Sequence, residues 1–138
     1  MKYRILIVFI LIVVGLVLGY MYINYDYRAD ILTYEPVFSV DAQRLFEEYT
    51  MDEEKANAQY LGKVIEVNGY VESIRTEESS VNVHLGTDEP FGQVVCQLNT
   101  DLAPGDLKRF EGSSIRIKGE CSGMLMDVIL VNGVILTE

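Results

Sequence analysis

From Ile5 to Ile23 the chain carries 19 uncharged, almost wholly apolar residues with no polar break, a pattern unlike anything that follows. At 1.5 Å of rise per residue such a run forms a helix of about 28 Å, close to the ~30 Å hydrocarbon core of a bilayer. Lys2 and Arg4 precede it, and no basic residue follows before Arg28. The positive-inside rule then keeps the N-terminus in the cytoplasm and exports the rest. Tyr20, Tyr22, Tyr25 and Tyr27 cluster where the helix would leave the bilayer, a position that suits an aromatic belt. Val17-Leu18-Gly19 makes only a poor cleavage site, because apolar residues continue beyond it, so a retained anchor is favoured over a removed signal peptide. A lipid-modified N-terminus needs a cysteine at the end of the run, and the cysteines are Cys96 and Cys121. Gly15 and Gly19 have the spacing that lets two membrane helices approach closely, which leaves a helix-mediated dimer open.

Residues 25–40 read as a juxtamembrane linker, with Pro36 discouraging helix just before it. A short helix is expected from Asp41 to Tyr49, capped by Asp41 and stapled by Val40 against Leu45. A second runs from Asp52 to about Tyr60, with acids in its first turn. After Gly62 the period changes to two. Residues 63–75 predict one long strand bent at Gly69, since Ile65, Val67, Gly69 and Val71 keep one parity across the glycine. A polar turn at 77–80 follows. Val81 to Leu85 and Val94 to Leu98 alternate as second and third strands. A helical turn is expected around Leu107 to Phe110, a fourth strand from Ile115 to about Gly119–Cys121, and a fifth from Asp127 to Leu136. The expected fold is mainly β: a five-stranded OB-type barrel over 41–138, preceded by short helices and by one transmembrane helix in 1–24.

Charge narrows the function. All 21 acidic residues follow the apolar run, and with Lys2 and Arg4 set aside nine basic residues remain, so the exported part carries about −12. Phosphate backbones are bound chiefly by Lys and Arg, so nucleic acid is disfavoured as a partner.

The segment Asp52-Glu53-x-x-Ala56-Asn57-x-x-Tyr60-x-Gly62-Lys63-x-Ile65-x-Val67-x-Gly69-x-Val71 resembles the opening of a bacterial family of OB-fold lipoproteins, tRNA_anti-like. Val95-Cys96, Ile117-Lys118-Gly119-x-Cys121-x-Gly123 and Asp127-Val128-x-Leu130 extend the likeness over about 40–136. The resemblance implies an OB barrel on the outer side of a bacterial membrane and no defined molecular role. Members often start with a lipoprotein signal, which this chain lacks. Some have a late-strand cysteine near the position of Gly133.

Cys96 and Cys121 share parity with apolar neighbours, so they read either as buried small hydrophobes or as a disulfide. Glu47, Glu48, Asp52, Glu53 and Glu54 read as a solvated face and a helix start, with weak cation binding as the functional alternative. His84 is the sole histidine, which excludes a multi-histidine metal centre, and no nucleophile, phosphate-loop or dinucleotide motif occurs. The expectation is a non-enzymatic binding or assembly module without metal or cofactor, tethered through residues 5–23 and facing the periplasm or exterior. Its partner would be a protein or small ligand, met on the outward side of the second and third strands around Asn82, His84 and Gln97. A small-ligand or divalent-cation-binding envelope protein is the alternative.

Overall fold

The structure, a computed structural model, describes residues 2–23, 31–77 and 80–136. The first helix, α1, spans Lys2–Ile23, and its 22 residues rise about 33 Å. Its apolar side chains are exposed wherever they are described. Among the described residues no helix is long and apolar enough to cross a membrane. Tyr25 and Tyr27 of the expected aromatic belt lie outside the described residues, as do 25–30 of the linker and 78–79 of the polar turn.

The strands are β1 (Phe38–Asp41), β2 (Val64–Glu77), β3 (Ser80–Leu85), β4 (Val94–Leu98), β5 (Ser114–Met124) and β6 (Val128–Leu136). They lie in the order β1-β2-β3-β4-β6-β5, and a further β2–β5 pairing closes β2 to β6 into a five-stranded barrel of the OB type. Closure hides the edges that five separate strands would expose. As expected, β2 is a single strand through Gly69. Residues Val64 to Tyr70 pair with β5, and Val71 to Glu77 pair with β3, with a register shift between Val71 and Ser73. The bend lets one strand serve both neighbours. A side chain at Gly69 would press on Ala42 Cβ and Leu85 Cδ1, each 3.0 Å from the point a Cβ would occupy, so glycine there admits the helix that follows β1.

Inward residues of every barrel strand, among them Ile65, Val67, Val83, Leu85, Cys96, Ile117 and Leu130, are fully buried. Both barrel ends are plugged. Helix α2 (Ala42–Met51) sends Leu45, Phe46 and Tyr49 into one end, and α3 (Glu53–Tyr60) returns the chain to β2 beside it. Leu107, at the end of the turn α4 (Pro104–Leu107) that continues as a 3-10 turn over Lys108–Phe110, is buried at the other end.

Two local expectations change. Asp41 precedes α2 but makes no side-chain cap bond, whereas Asp52 caps α3 by accepting from the Lys55 amide at 3.0 Å. The linker is not bare chain where it is described. Phe38–Asp41 pairs in parallel with residues 65–68 of β2, and the Val37 amide donates to the Val64 carbonyl. The physical reason is the length of β3, which stops opposite Val71 and leaves that stretch of the β2 edge without a neighbour. Further back Ile31 is buried, and the Lys118 ammonium donates to the carbonyls of Leu32 and Tyr34 at 3.2 and 2.7 Å.

The α2 plug depends on Gly92, because a Cβ at that position would fall inside the Phe46 ring. Gly92→Ala is expected to cost about 2–3 kcal/mol in urea unfolding, the usual penalty of overpacking a core. Adding Phe46→Leu should recover part of that loss, a non-additivity that a double-mutant cycle measures. Strictly additive effects would place the ring elsewhere.

Candidate functional site

Period-two alternation sends Glu66, Asn68 and Tyr70 of β2 and Ser114, Arg116 and Lys118 of β5 to the outside of the barrel. The register then sets Asp41, Asn68 and Arg116 side by side across three strands, and Tyr70 opposite Ser114. Asp41, Asn68, Tyr70, Ser114, Arg116 and Gln43 line a groove of about 790 Å³. Tyr70 offers an exposed ring. Arg116 is the one cation in the lining, and its guanidinium lies 3.9 Å from the Glu66 carboxylate. Ser39 donates to the same carboxylate at 3.2 Å.

The groove runs into the face expected from the sequence. Gly86 lines it and donates its amide to the Tyr70 carbonyl. Beside Gly86, Gln93 donates to Glu72 at 2.5 Å and accepts from His84 Nδ1 at 3.0 Å. Because the Gln93 side-chain oxygen can only accept, Nδ1 carries the hydrogen in this contact. Asn82 and Gln97 stand directly opposite each other on β3 and β4, with Arg75 next in the row. Gln97 is exposed, while Asn82 and His84 are half-buried. The structure therefore brings Asn82, His84 and Gln97 onto one outer surface and joins them to a groove that strand parity alone did not reveal. Tyr70 carried the available signal, as an aromatic residue on the outward parity of the first barrel strand.

The acidic cluster is occupied structurally. Glu48 accepts from Tyr60 Oη at 2.6 Å and from Arg44 at 2.8 Å, and Glu47 accepts from Gln43. The Tyr60 hydrogen bond, then Arg44, holds the Glu48 carboxyl below its ordinary range despite partial burial. Asp52 is the α3 cap. Among the described residues no group of three or more His, Cys, Asp or Glu side chains is arranged to hold a metal ion.

The disulfide considered for Cys96 and Cys121 is corrected. Both are buried free thiols. Cys96 pairs with Leu130 from β4 and Cys121 pairs with Leu130 from β5, so β6 lies between them. Two inter-strand spacings are roughly 9–10 Å, beyond the Cα separation a disulfide spans. Cys121 Sγ instead meets Tyr49 Oη at 3.3 Å, under the plug. Gly133, where some relatives of the resembled family have cysteine, has the Gln97 carbonyl and Leu98 within 3.2 Å of a would-be Cβ, so this barrel leaves little room there.

A family model described as tRNA_anti-like matches residues 1–135. No curated protein matches the chain. Among solved structures, the chain is similar to a candidate nucleic acid-binding lipoprotein from Klebsiella pneumoniae subsp. pneumoniae. The two are 17% identical with a TM-score of 0.56, over 71% of this chain and 91% of that one. The chain is also similar to Entamoeba histolytica asparaginyl-tRNA synthetase, at 14% identity and a TM-score of 0.45, over 75% of this chain and 24% of the synthetase. At 17% identity the likeness to the lipoprotein is one of fold.

The buried polar groups fix an alkaline limit. Burial pushes the Cys96 thiol up from 9.0 to about 12, and burial with the Glu48 hydrogen bond pushes Tyr60 from 10.0 to about 12. Tyr49 moves the same way, through burial and then its bond to Cys121. Each group is neutral when folded and ionises sooner when unfolded, so the stability it contributes is complete below its unfolded pKa and is lost as pH rises toward the folded value. The thermal midpoint should therefore hold level up to about pH 9 and fall from there toward pH 12. Cys96→Ala should delay the onset to about pH 10, where the tyrosines begin to titrate. An unchanged onset would show that Cys96 ionises as freely in the folded chain as in the unfolded one.

Proposed function

The chain belongs to the tRNA_anti-like family, and from that premise we propose that it is a non-enzymatic binding module, an OB barrel held on the outer side of a bacterial membrane by α1. The observation that carries the binding role is the continuous polar strip from the Asp41–Asn68–Arg116 groove to Glu72, Gln93, His84, Asn82 and Gln97. It combines amides, a hydroxyl and an exposed tyrosine ring with more carboxylates than cations, a set suited to an uncharged or cationic polar partner. A small number of placed polar groups around a concavity is how binding sites fix orientation.

The anchor is supported by the uncharged run within α1 and by its exposed apolar surface. A helix of that character is stable in lipid and costly in water. Lys2 and Arg4 then set the barrel outside. The non-enzymatic reading is supported by His84, whose Nδ1 is held by the Gln93 amide rather than by a carboxylate, so Ser73, opposite it on β2, lacks the carboxylate-oriented imidazole of a triad.

Electrostatics separates this reading from nucleic-acid binding. An OB fold reaches single strands through a positively charged groove with stacking aromatics, whereas the exported part here carries about −12.

In zwitterionic detergent the full chain should show no anisotropy change with a labelled oligothymidylate at physiological salt. A lysine-containing peptide should bind, and Glu72→Gln or Tyr70→Ala should weaken that binding about tenfold, equivalent to ~1.4 kcal/mol. Oligonucleotide binding that outcompetes the peptide would reverse the assignment. Calcium calorimetry discriminates the cation-binding alternative, and heat at millimolar calcium would favour it.

A further inference from the structure

The two ends of the barrel differ in what they expose. Strands β2, β4 and β6 begin at one end, where β3 and β5 finish. That end carries the α2–α3 pair, the 86–93 loop and the β5–β6 hairpin tip. The tip and the loop are tied together, since the Gln93 amide donates to Asp127 Oδ1 at 3.0 Å and the Val128 amide donates to the Gln93 carbonyl at 3.1 Å. On these elements Phe91 is 91% exposed, Leu125 86% and Met126 78%, and Met51, where α2 ends, is 85% exposed. At the opposite end Leu102 is 43% exposed and the Tyr70 ring, opposite the first residue of β5, is 54% exposed. Bare apolar groups of this size, gathered at one end, mark a contact surface rather than scattered solvent-facing residues.

The course of the chain identifies what lies against that end. Because β1 runs parallel to β2, it starts at the same end, and Val37 meets Val64 there. Residues 31–34 are fixed beside β5 by the burial of Ile31 and the two bonds from Lys118. Between Ile23, the last residue of α1, and Ile31 lie only residues 24–30, a span that cannot exceed about 28 Å whatever its path. The hairpin tip is six residues of β5 beyond Lys118, roughly 20 Å. A barrel on so short a lead can set its apolar end on the surface that α1 enters.

We propose that the barrel rests on the lipid surface, with Phe91, Leu125 and Met126 immersed in the headgroup layer of zwitterionic phospholipid. This rests on the reading of α1 as a membrane anchor. Apolar side chains on the rim of a soluble domain bind the interface by removing their surface from water. The charge sets the lipid preference. Asp88 and Glu89 flank Phe91 in the same loop, and the exported part is strongly acidic, so anionic headgroups repel this end.

The chain contains no tryptophan, so a single introduced indole reports its own depth. Full-length Leu11→Trp, Met126→Trp and Leu102→Trp would be reconstituted separately in phosphatidylcholine vesicles with brominated acyl chains. Leu11→Trp, within the anchor, should be quenched by bromines near the bilayer centre. Met126→Trp should emit to the blue and be quenched at least twofold more than Leu102→Trp by bromines near the headgroups. Replacing a third of the lipid with phosphatidylglycerol should reduce quenching of Met126→Trp, and added salt should restore it. Equal quenching at positions 126 and 102, with Leu11→Trp quenched, overturns the proposal while leaving the anchor intact. An unquenched Leu11→Trp removes the anchor, and the docking surface with it.

Discussion

Everything in this domain is referred to one strand that pairs with three others. β2 gives its first half to β5 on one edge, its second half to β3 on the other, and the remaining stretch of that second edge to β1. Barrel closure requires the strand to bend between the two halves, and Gly69 sits at the bend with Ala42 and Leu85 close against it. A larger residue would push back the first turn of α2 and the end of β3 together. The plug, the sheet edge and the floor of the groove thus share a single steric condition. Because β1 feeds directly into α2, the same pairing that covers the β2 edge also aims the plug into the barrel.

Much of this was legible from the alternation of apolar and polar residues. Val94 to Leu98 was delimited to the residue, and the two short helices and the long first barrel strand were placed to within a few positions. The reason is that each element buries one face, so its period is written locally. What parity cannot carry is adjacency. Cys96 and Cys121 do both face inward, but which strand separates them is set by the parallel pairing of β4 with β6, a contact between segments more than 30 residues apart. β1 was missed for a related reason. Four residues that alternate as Phe-Ser-Val-Asp are too few to signal a strand, and they form one because β3 leaves an edge to fill. The groove has no local signature beyond the outward Tyr70, since its floor is assembled from β1, β2 and β5. The β5–β6 register also hides an irregularity that the apolar run of β6 concealed. Asn132 adopts a left-handed conformation where the pairing steps from Glu120–Val131 to Lys118–Val134, and asparagine tolerates that better than its apolar neighbours would.

Lys118, Glu48 and Tyr49 are each given a partner chosen by the fold, whereas Asn57 Oδ1 is buried without a hydrogen-bond partner among the described residues. Lys118 is the charged residue in the buried set, and backbone carbonyls of 32 and 34 take its ammonium. The bond does more than satisfy a charge. It ties the segment leading out of α1 to β5, so the barrel does not swing from residue 38 but is held from residue 31. Glu48 and Tyr60 make a second such tie, between α2 and α3.

These ties give the surfaces of the barrel separate roles. The end plugged by α2 carries the exposed apolar rim, and it is the end from which the lead to α1 departs. The outer wall carries the groove and the Glu72–Gln93–His84 row, and these stay open to solvent when that end rests against a surface. A short lead favours this division, because a barrel free to tumble on a long tether would present its wall and its ends to the membrane alike. Electrostatics acts in the same direction at both places. A strongly acidic domain is repelled by anionic headgroups and by phosphate backbones for one reason, the long-range field of its carboxylates. On the proposed reading, apolar contact with the lipid is short-range and shallow, and recognition at the wall comes from hydrogen bonds and aromatic contact rather than from attraction to polyanions. The OB fold supplies the wall, and the charge on it decides what can approach.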